Sequence, residues 1–348
     1  MKVALDRKEL VYTGRIDMSD PEKPELVFPA SSLSFRFYGK KAVLVLENKI
    51  ACWDSYLGAF VDGVQKKWKL NADGETKITL LQQEEDQEHE ILVFKRQDSC
   101  HEMAFCSLEL SEGSRLLEPA ERPKRRIEVY GDSVSAGEVS EAIEYAGKED
   151  PEHNGEYSNS WFSYAWIAAR KLGAELHDIA QGGIPLLNGT GWVAPPAYTG
   201  MEFMWDKVHY HPQLEKVTEW DFSKYTPHLV IVAVGQNDSN PEDYMKEHPE
   251  GERAAYWKYR YQKFVGQIRE KYPKALILLT TTILEHDVGW DKAIDEVCHN
   301  LKDERVIHFL YSENGKGTPG HIRIPEAEKM AEELAAFISG LTIPVWED

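Results

Sequence analysis

The sequence predicts two joined architectures: an all-β sandwich of jelly-roll type over residues 1–118, and an α/β domain with a parallel sheet over residues 127–348. Three observations carry this. Short apolar-polar alternations separated by turn signals fill the first third of the chain. A polar, proline-bearing segment, Glu118-Pro119-Ala120-Glu121-Arg122-Pro123-Lys124-Arg125-Arg126, then interrupts the pattern, and residues 119–126 read as a linker. Beyond it, buried strand-like runs alternate with longer helical ones.

In the first part the strand candidates are Leu26 to Phe28, Ser34 to Tyr38, Ala42 to Glu47, Tyr56 to Val61, Lys77 to Leu81, His89 to Lys95 and Phe105 to Leu110. Asp62-Gly63 and Asn71-Ala72-Asp73-Gly74 have hairpin chemistry, because these residues tolerate the backbone that tight reversals need. In the second part the strands are Ile127 to Tyr130, Glu175 to Ile179, Leu229 to Val234, Leu276 to Thr281 and Val306 to Phe309. Helices are expected over Trp161 to Leu172, Arg253 to Tyr272, Trp290 to Leu301 and Pro325 to Ile338, the last opening with proline and acidic residues as helix starts prefer. The stretches 141–160 and 186–212 fit no regular element. The second carries Trp192, Tyr198, Phe203, Trp205 and Tyr210, stiffened by Pro195-Pro196, and a loop of that length usually has a use.

Composition excludes several classes. A net charge of −19 disfavours nucleic-acid and anionic-membrane partners, which need clustered Lys and Arg. No run reaches the roughly 18 apolar residues that a membrane span requires. Met1-Lys2-Val3-Ala4-Leu5-Asp6-Arg7-Lys8 lacks secretory-signal character, so a cytoplasmic location is expected. Cys52, Cys100, Cys106 and Cys298 have no metal-type spacing and read as reduced, mostly buried thiols. Neither a metal nor another cofactor is implied, His209-Tyr210-His211 lacking a third ligand of evident spacing. His286-Asp287 reads as a solvated loop, since adjacent side chains usually point apart. No signal bears on oligomeric state.

The chemistry concentrates at four points. Arg126 to Gly137 reads as a buried strand ending in a tight turn, Gly131-Asp132-Ser133, that presents one hydroxyl, with Asp132 shaping the turn. After the second strand of the α/β part, Gln181-Gly182-Gly183 lets backbone amides approach a developing oxyanion. After the third, Gly235-Gln236-Asn237-Asp238 offers the Asn237 amide as a further donor. His321, in Gly317-Thr318-Pro319-Gly320-His321 before the last helix, stands where an imidazole would deprotonate the serine.

With these four blocks in this order over residues 127–340, the chain resembles the SGNH, or GDSL-type, hydrolase superfamily, and the preceding β-domain resembles the arrangement of carbohydrate esterase family 2. The resemblance implies a flavodoxin-like catalytic domain, Ser133 as nucleophile, His321 as base, and an oxyanion hole of the Ser133 amide, the Gly182 amide (assigned over adjacent Gly183) and the Asn237 side chain. It implies an acetyl esterase acting on hemicellulose-derived oligosaccharides, from glucomannan or xylan, through an acetyl-enzyme. The usual acid three residues before the histidine is replaced by Thr318. A Ser-His dyad is therefore expected, with His321 oriented by a main-chain carbonyl or the Thr318 hydroxyl and its pKa lower than in a triad, a distant acid completing a triad being the alternative left open. Trp192, Trp205 and Trp290 are candidates for stacking on sugar rings. Two further readings stand beside this one: an SGNH lipase or thioesterase, and a carbohydrate-binding protein with a degenerate hydrolase domain.

Overall fold

Two strands far longer than those expected organise the N-terminal part of the computed structural model, which describes residues 1–152 and 154–347. These are β1 (Ser32–Ile50) and β4 (Gly74–Lys95), with β2 (Tyr56–Val61), β3 (Val64–Lys69) and β5 (His101–Leu110) beside them. In hydrogen-bonding order β5-β1-β4-β2-β3 they form the body of one ten-stranded antiparallel sheet, completed by short strands from residues 2–26 and 115–117. Each long strand absorbs two of the expected short ones. Gly39-Lys40-Lys41 and the polar run before His89 read as breaks, yet the ladder continues through them with register shifts between Gly39 and Lys41 and between Ala42 and Val43. Such bulges bend a strand without ending it. The bent sheet closes over a single core that takes Leu33, Phe35 and Phe37 from one half of β1 and Leu44 and Leu46 from the other.

The second part follows its expected elements closely. Strands β6 (Arg125–Gly131), β7 (Ala174–Ala180), β8 (Leu229–Ala233), β9 (Leu276–Leu279) and β10 (Val306–His308) form a parallel sheet in the order β7-β6-β8-β9-β10. This is the doubly wound order 2-1-3-4-5, in which ligands bind beyond the strand C-termini where the winding reverses, here between β6 and β8. Beside the short helices Met201–Met204 and Tyr244–Glu247, the domain has α1 (Ser133–Ala136), α2 (Tyr164–Lys171), α3 (Glu252–Lys271), α4 (Val288–Leu301) and α5 (Ile324–Gly340). Residues alternate between the two faces. Tyr130, Val230 and Val232 meet Trp257, Phe264 and Ile294 of α3 and α4, while Val129, Leu229 and Ile231 meet Ala165, Ala168 and Leu334 of α2 and α5. Both faces being covered explains why these strands read as nearly unbroken apolar runs.

The two parts are joined through shared interior rather than by the linker alone. Phe28 belongs to the core on one face of the parallel sheet and Ala30 to the core on the other. Arg15, fully buried, donates to the carbonyls of Trp205 (2.6 Å) and Lys207 (3.0 Å) and lies 3.4 Å from Glu128. Losing one member of a buried ion pair typically costs about 3–5 kcal/mol. Ser99, just after β4, bonds the Ala180 carbonyl at 3.0 Å and the Tyr210 hydroxyl at 2.7 Å. The β-domain is thereby held against the C-terminal end of the parallel sheet, where a site is expected.

Candidate active site

Strand β6 ends at a turn that only small residues can make. A Cβ at Gly131 would stand 2.1 Å from the Ser135 hydroxyl oxygen, so a larger residue would collide with the first turn of α1. Asp132 caps that turn, its Oδ1 accepting the Val134 N–H at 3.0 Å, and Gly137 closes it at φ 74°. Ser133 is thus fixed at the sheet's C-terminal edge and lines a pocket of about 470 Å³ together with Asn237, Gly182, Gly183 and His321. All four sequence blocks converge there.

Asp132 also ties the first block to the third. Its Oδ2 accepts from Gln236 Nε2 at 2.8 Å and from Asn237 Nδ2 at 3.2 Å, and Asn237 Nδ2 additionally lies 3.2 Å from the Ile184 carbonyl. Burial raises the Asp132 pKa to about 6. Gly235 adopts φ 137°, with the Trp257 ring 3.0 Å from where its Cβ would be, so this turn requires glycine. Asp238 accepts the Leu186 and Leu187 amides at 2.6 and 3.0 Å and the Thr190 hydroxyl at 3.1 Å, anchoring the start of the long aromatic loop.

Of the ways in which His321 could be oriented, Thr318 is not the one the structure shows. Thr318 is buried, and its hydroxyl donates to the Gly320 carbonyl at 3.1 Å rather than to the imidazole. A carboxylate stands at the ring instead: Asp150 Oδ2 is 2.5 Å from His321 Nδ1, across 171 positions of sequence. Asp150 Oδ1 accepts the His321 N–H at 2.8 Å and an Arg323 Nη2–H at 2.7 Å, and Arg323, fully buried, also donates to the His321 carbonyl. The loop can close this way because Gly320 sits against Lys148 and Asp150, with the Lys148 carbonyl 2.4 Å from where a Cβ would be.

Electrostatics follow the geometry. Burial opposes ionisation of Asp150, but its hydrogen bond to His321, the imidazole charge and Arg323 hold it below the usual carboxylate range. Burial likewise works to lower the His321 pKa, yet the Glu138 and Asp150 carboxylates raise it to about 9, opposite to the lowering expected for a dyad. Asp150 lies in the irregular stretch 141–160, where no spacing marked it.

The remaining residues divide. The Gly182 N–H donates to Asp98 Oδ2 at 2.8 Å, and Gln181 Nε2 donates to the same oxygen at 2.6 Å, so the amide expected in the oxyanion hole is already committed. Gly183, next to it at φ 71°, lines the same pocket. Trp192 is 62% exposed and at the pocket wall. Trp205 and Trp290 are not: Trp205 packs edge-on against Tyr130 and Phe264, and Trp290 against Trp257 and Tyr244 with its Nε1–H on Asp243 at 3.0 Å. Their apolar area is taken by the core beneath the sheet. The β-domain contributes what sequence reasoning missed, namely Trp53, at φ 63° and 45% exposed, together with Cys52 and Asp98 on the pocket wall.

The other residues singled out in the sequence lie as follows. All four cysteines are free thiols, with Cys52 exposed and only Cys100 buried. His286 is largely enclosed and pairs with Asp291 at 3.3 Å, while Asp287 caps α4 through the Gly289 N–H, so that segment is not the solvated loop expected. His209 is buried between Glu102 (2.7 Å) and Asp17 (3.1 Å), and the Lys216 ammonium lies 2.9 Å from Asp17 and 2.6 Å from Glu25, supplying the cation for that cluster. Among the described residues no helix is long and apolar enough to cross a membrane.

Residues 12–119 match the family model described as carbohydrate esterase 2 N-terminal. The chain is 28% identical over 346 residues, 96% of its length, to a cellulase/esterase, CelE, of Acetivibrio thermocellus, and spans 39% of that relative. It is 26% identical over 339 residues to an acetylxylan esterase/glucomannan deacetylase of Cellvibrio japonicus, covering 95% of this chain and 88% of that one. Among solved structures, a family two carbohydrate esterase from Clostridium thermocellum in complex with cellohexaose superposes with TM-score 0.76 at 26% identity, covering 95% of this chain and 98% of that one. One from Cellvibrio japonicus superposes with TM-score 0.81 at 22% identity, covering 97% and 96%, and speaks to the fold alone.

Proposed function

We propose that this chain, an SGNH-type hydrolase resembling carbohydrate esterase family 2, is a serine esterase that removes O-acetyl groups from hemicellulose-derived oligosaccharides of the glucomannan or xylan type. The observation that carries the reading is one pocket lined by both Ser133 and His321, with Asp150 2.5 Å behind the imidazole. Ser133 Oγ attacks the acetyl carbonyl while His321 Nε2 takes its proton. The same imidazolium then protonates the departing sugar hydroxyl, and water resolves the acetyl-enzyme. Asp150, on Nδ1, fixes the tautomer that leaves Nε2 free to accept, so the relay is read as Ser133-His321-Asp150 rather than as a dyad.

For the oxyanion, the Ser133 N–H and the Asn237 side chain are the first two donors. Asn237 is held by two acceptors at 3.2 Å, and one of these long contacts yields to the incoming charge. Because the Gly182 N–H is committed to Asp98, the neighbouring Gly183 takes the third place. A donor of this kind is worth about 3–4 kcal/mol in the transition state. Trp192 and Trp53, facing the pocket from the two domains, supply aromatic surface for sugar rings.

The test is acetate release from p-nitrophenyl acetate and from acetylated oligosaccharides by Ser133→Ala, which is expected to abolish both; full retention would sink the mechanism. A lipase or thioesterase reading is disfavoured by a pocket wall that includes Asp98, Glu138 and His211, and preference for octanoyl over acetyl esters would restore it.

A further inference from the structure

His321 is flanked by carboxylates on both nitrogens, not one. Asp150 holds Nδ1, while Glu138 Oε2 lies 3.9 Å from Nε2, the nitrogen that has to receive the Ser133 proton. Glu138 follows the turn that presents Ser133, and its backbone N–H bonds the Ser133 carbonyl at 2.9 Å, so its place is as well defined as that of the nucleophile. Its carboxylate also lies close to Gly182, 2.6 Å from where a Cβ at that residue would stand, and it lines the same pocket.

From this geometry, and on the reading of His321 as the base, we propose that Glu138 is a positioning residue for the reaction: its carboxylate holds the proton on His321 Nε2 in the resting site and thereby sets the acidic limb of activity. A base must be neutral to accept from serine, so between about 7, where Glu138 ionises, and about 9, where the imidazolium gives up its proton, the anion beside Nε2 works against the first step and favours the imidazolium that the second step uses. The charged and titratable groups around the ring are Asp150 and Arg323 behind it, Asp132 in the turn before Ser133, Glu138 at the reactive nitrogen, Asp98 from the β-domain beyond Glu138, and the His286–Asp291 pair after β9. Among the described residues, Glu138 is the carboxylate found within 4 Å of Nε2. Burial raises its own pKa to about 7, partly offset by the charge of His321.

The experiment is an NMR titration of the His321 imidazole in the Ser133→Ala background, with and without Glu138→Gln. An opposite charge at this range shifts a titration by about one unit or more, so Glu138→Gln is expected to lower the midpoint by at least about one unit. Glu138→Asp, which keeps the charge but withdraws it by one methylene, is expected to fall between. Superimposable curves for all three would overturn the proposal. The midpoint is read without substrate, so failure here is distinct from failure of the esterase reading, which the Ser133→Ala acetate assay decides. Should Glu138→Gln fail to fold, Glu138→Asp supplies the same comparison, and in the Ser133-containing enzyme the acidic limb of kcat/KM is expected to move in the same direction as the imidazole midpoint.

Discussion

Asp150 Oδ2 lies 2.5 Å from His321 Nδ1, and the second oxygen of the same carboxylate accepts the His321 backbone N–H. One side chain therefore fixes both the ring and the main chain that carries it. Replacing Asp150 by Asn keeps the size but permits the tautomer with the proton on the wrong nitrogen. We expect kcat to fall by roughly 10²- to 10⁴-fold with KM little changed. Wild-type kcat in Asp150→Asn, measured on an acetylated oligosaccharide, would return the mechanism to a dyad.

The same pair has opposite consequences for stability and activity. His321, raised to about 9, contributes stability that is fully present below its ordinary value near 6.5 and is lost as pH climbs through about 9. Asp150, held low, contributes stability above its ordinary value near 3.8 that is lost as pH falls further. The folding contribution of the pair is thus fullest between about 4 and 6.5, while activity needs the neutral imidazole and rises toward about 9. Paired pH profiles of Tm and kcat/KM are expected to diverge between about 6.5 and 9, Tm falling as kcat/KM rises. A kcat/KM plateau already reached at pH 6 would refute the raised His321 pKa.

How much of this was legible in the sequence depended on how local each signal was. The parallel sheet, its helices and the Gly131-Asp132-Ser133 turn are written in short stretches, because a strand buried on both faces must be apolar and a tight corner must be small. β1 and β4 were not, since lysines and acidic residues at an exposed bend resemble a break. Asp150 was invisible for a different reason: its role arises only when the 141–160 stretch is brought across the last loop by Arg323, and no spacing encodes that contact. Trp205, Trp290 and Trp192 show the same limit from the other side. All three are tryptophans, and only burial distinguishes core from pocket.

That distinction predicts opposite phenotypes. Trp290→Ala empties a fully buried position that touches Trp257 and Tyr244 and should destabilise the protein by about 3–5 kcal/mol. Trp192→Ala removes an exposed ring and should leave the denaturation midpoint nearly unchanged while raising KM for oligosaccharides more than for p-nitrophenyl acetate. Chemical denaturation and a two-substrate comparison check both, and an unaltered KM ratio would remove Trp192 from the sugar site.

Asp238 connects the third block to the loop that carries Trp192. It is fully buried and accepts two successive amides, Leu186 at 2.6 Å and Leu187 at 3.0 Å, as well as the Thr190 hydroxyl at 3.1 Å. Asp238→Ala strands those donors, each at a cost of about 1–3 kcal/mol where water cannot reach them. The loop is the element released, so the loss should show as faster hydrogen exchange at Leu186 and Leu187 and a higher KM before it shows as global unfolding. Burial, only partly offset by the Leu186 and Leu187 amides, raises the Asp238 pKa to about 7. The sign is therefore opposite to that of Asp150: the buried carboxyl is easier to keep neutral, and ionising it costs stability as pH rises from its ordinary range near 3.8 through about 7. Asp238→Asn, which cannot ionise, is expected to lose affinity less than Asp238→Ala and to remove the destabilisation that builds up between about 3.8 and 7. Equal exchange rates at Leu186 and Leu187 in wild type and Asp238→Ala would show that the loop is held by its aromatic packing instead.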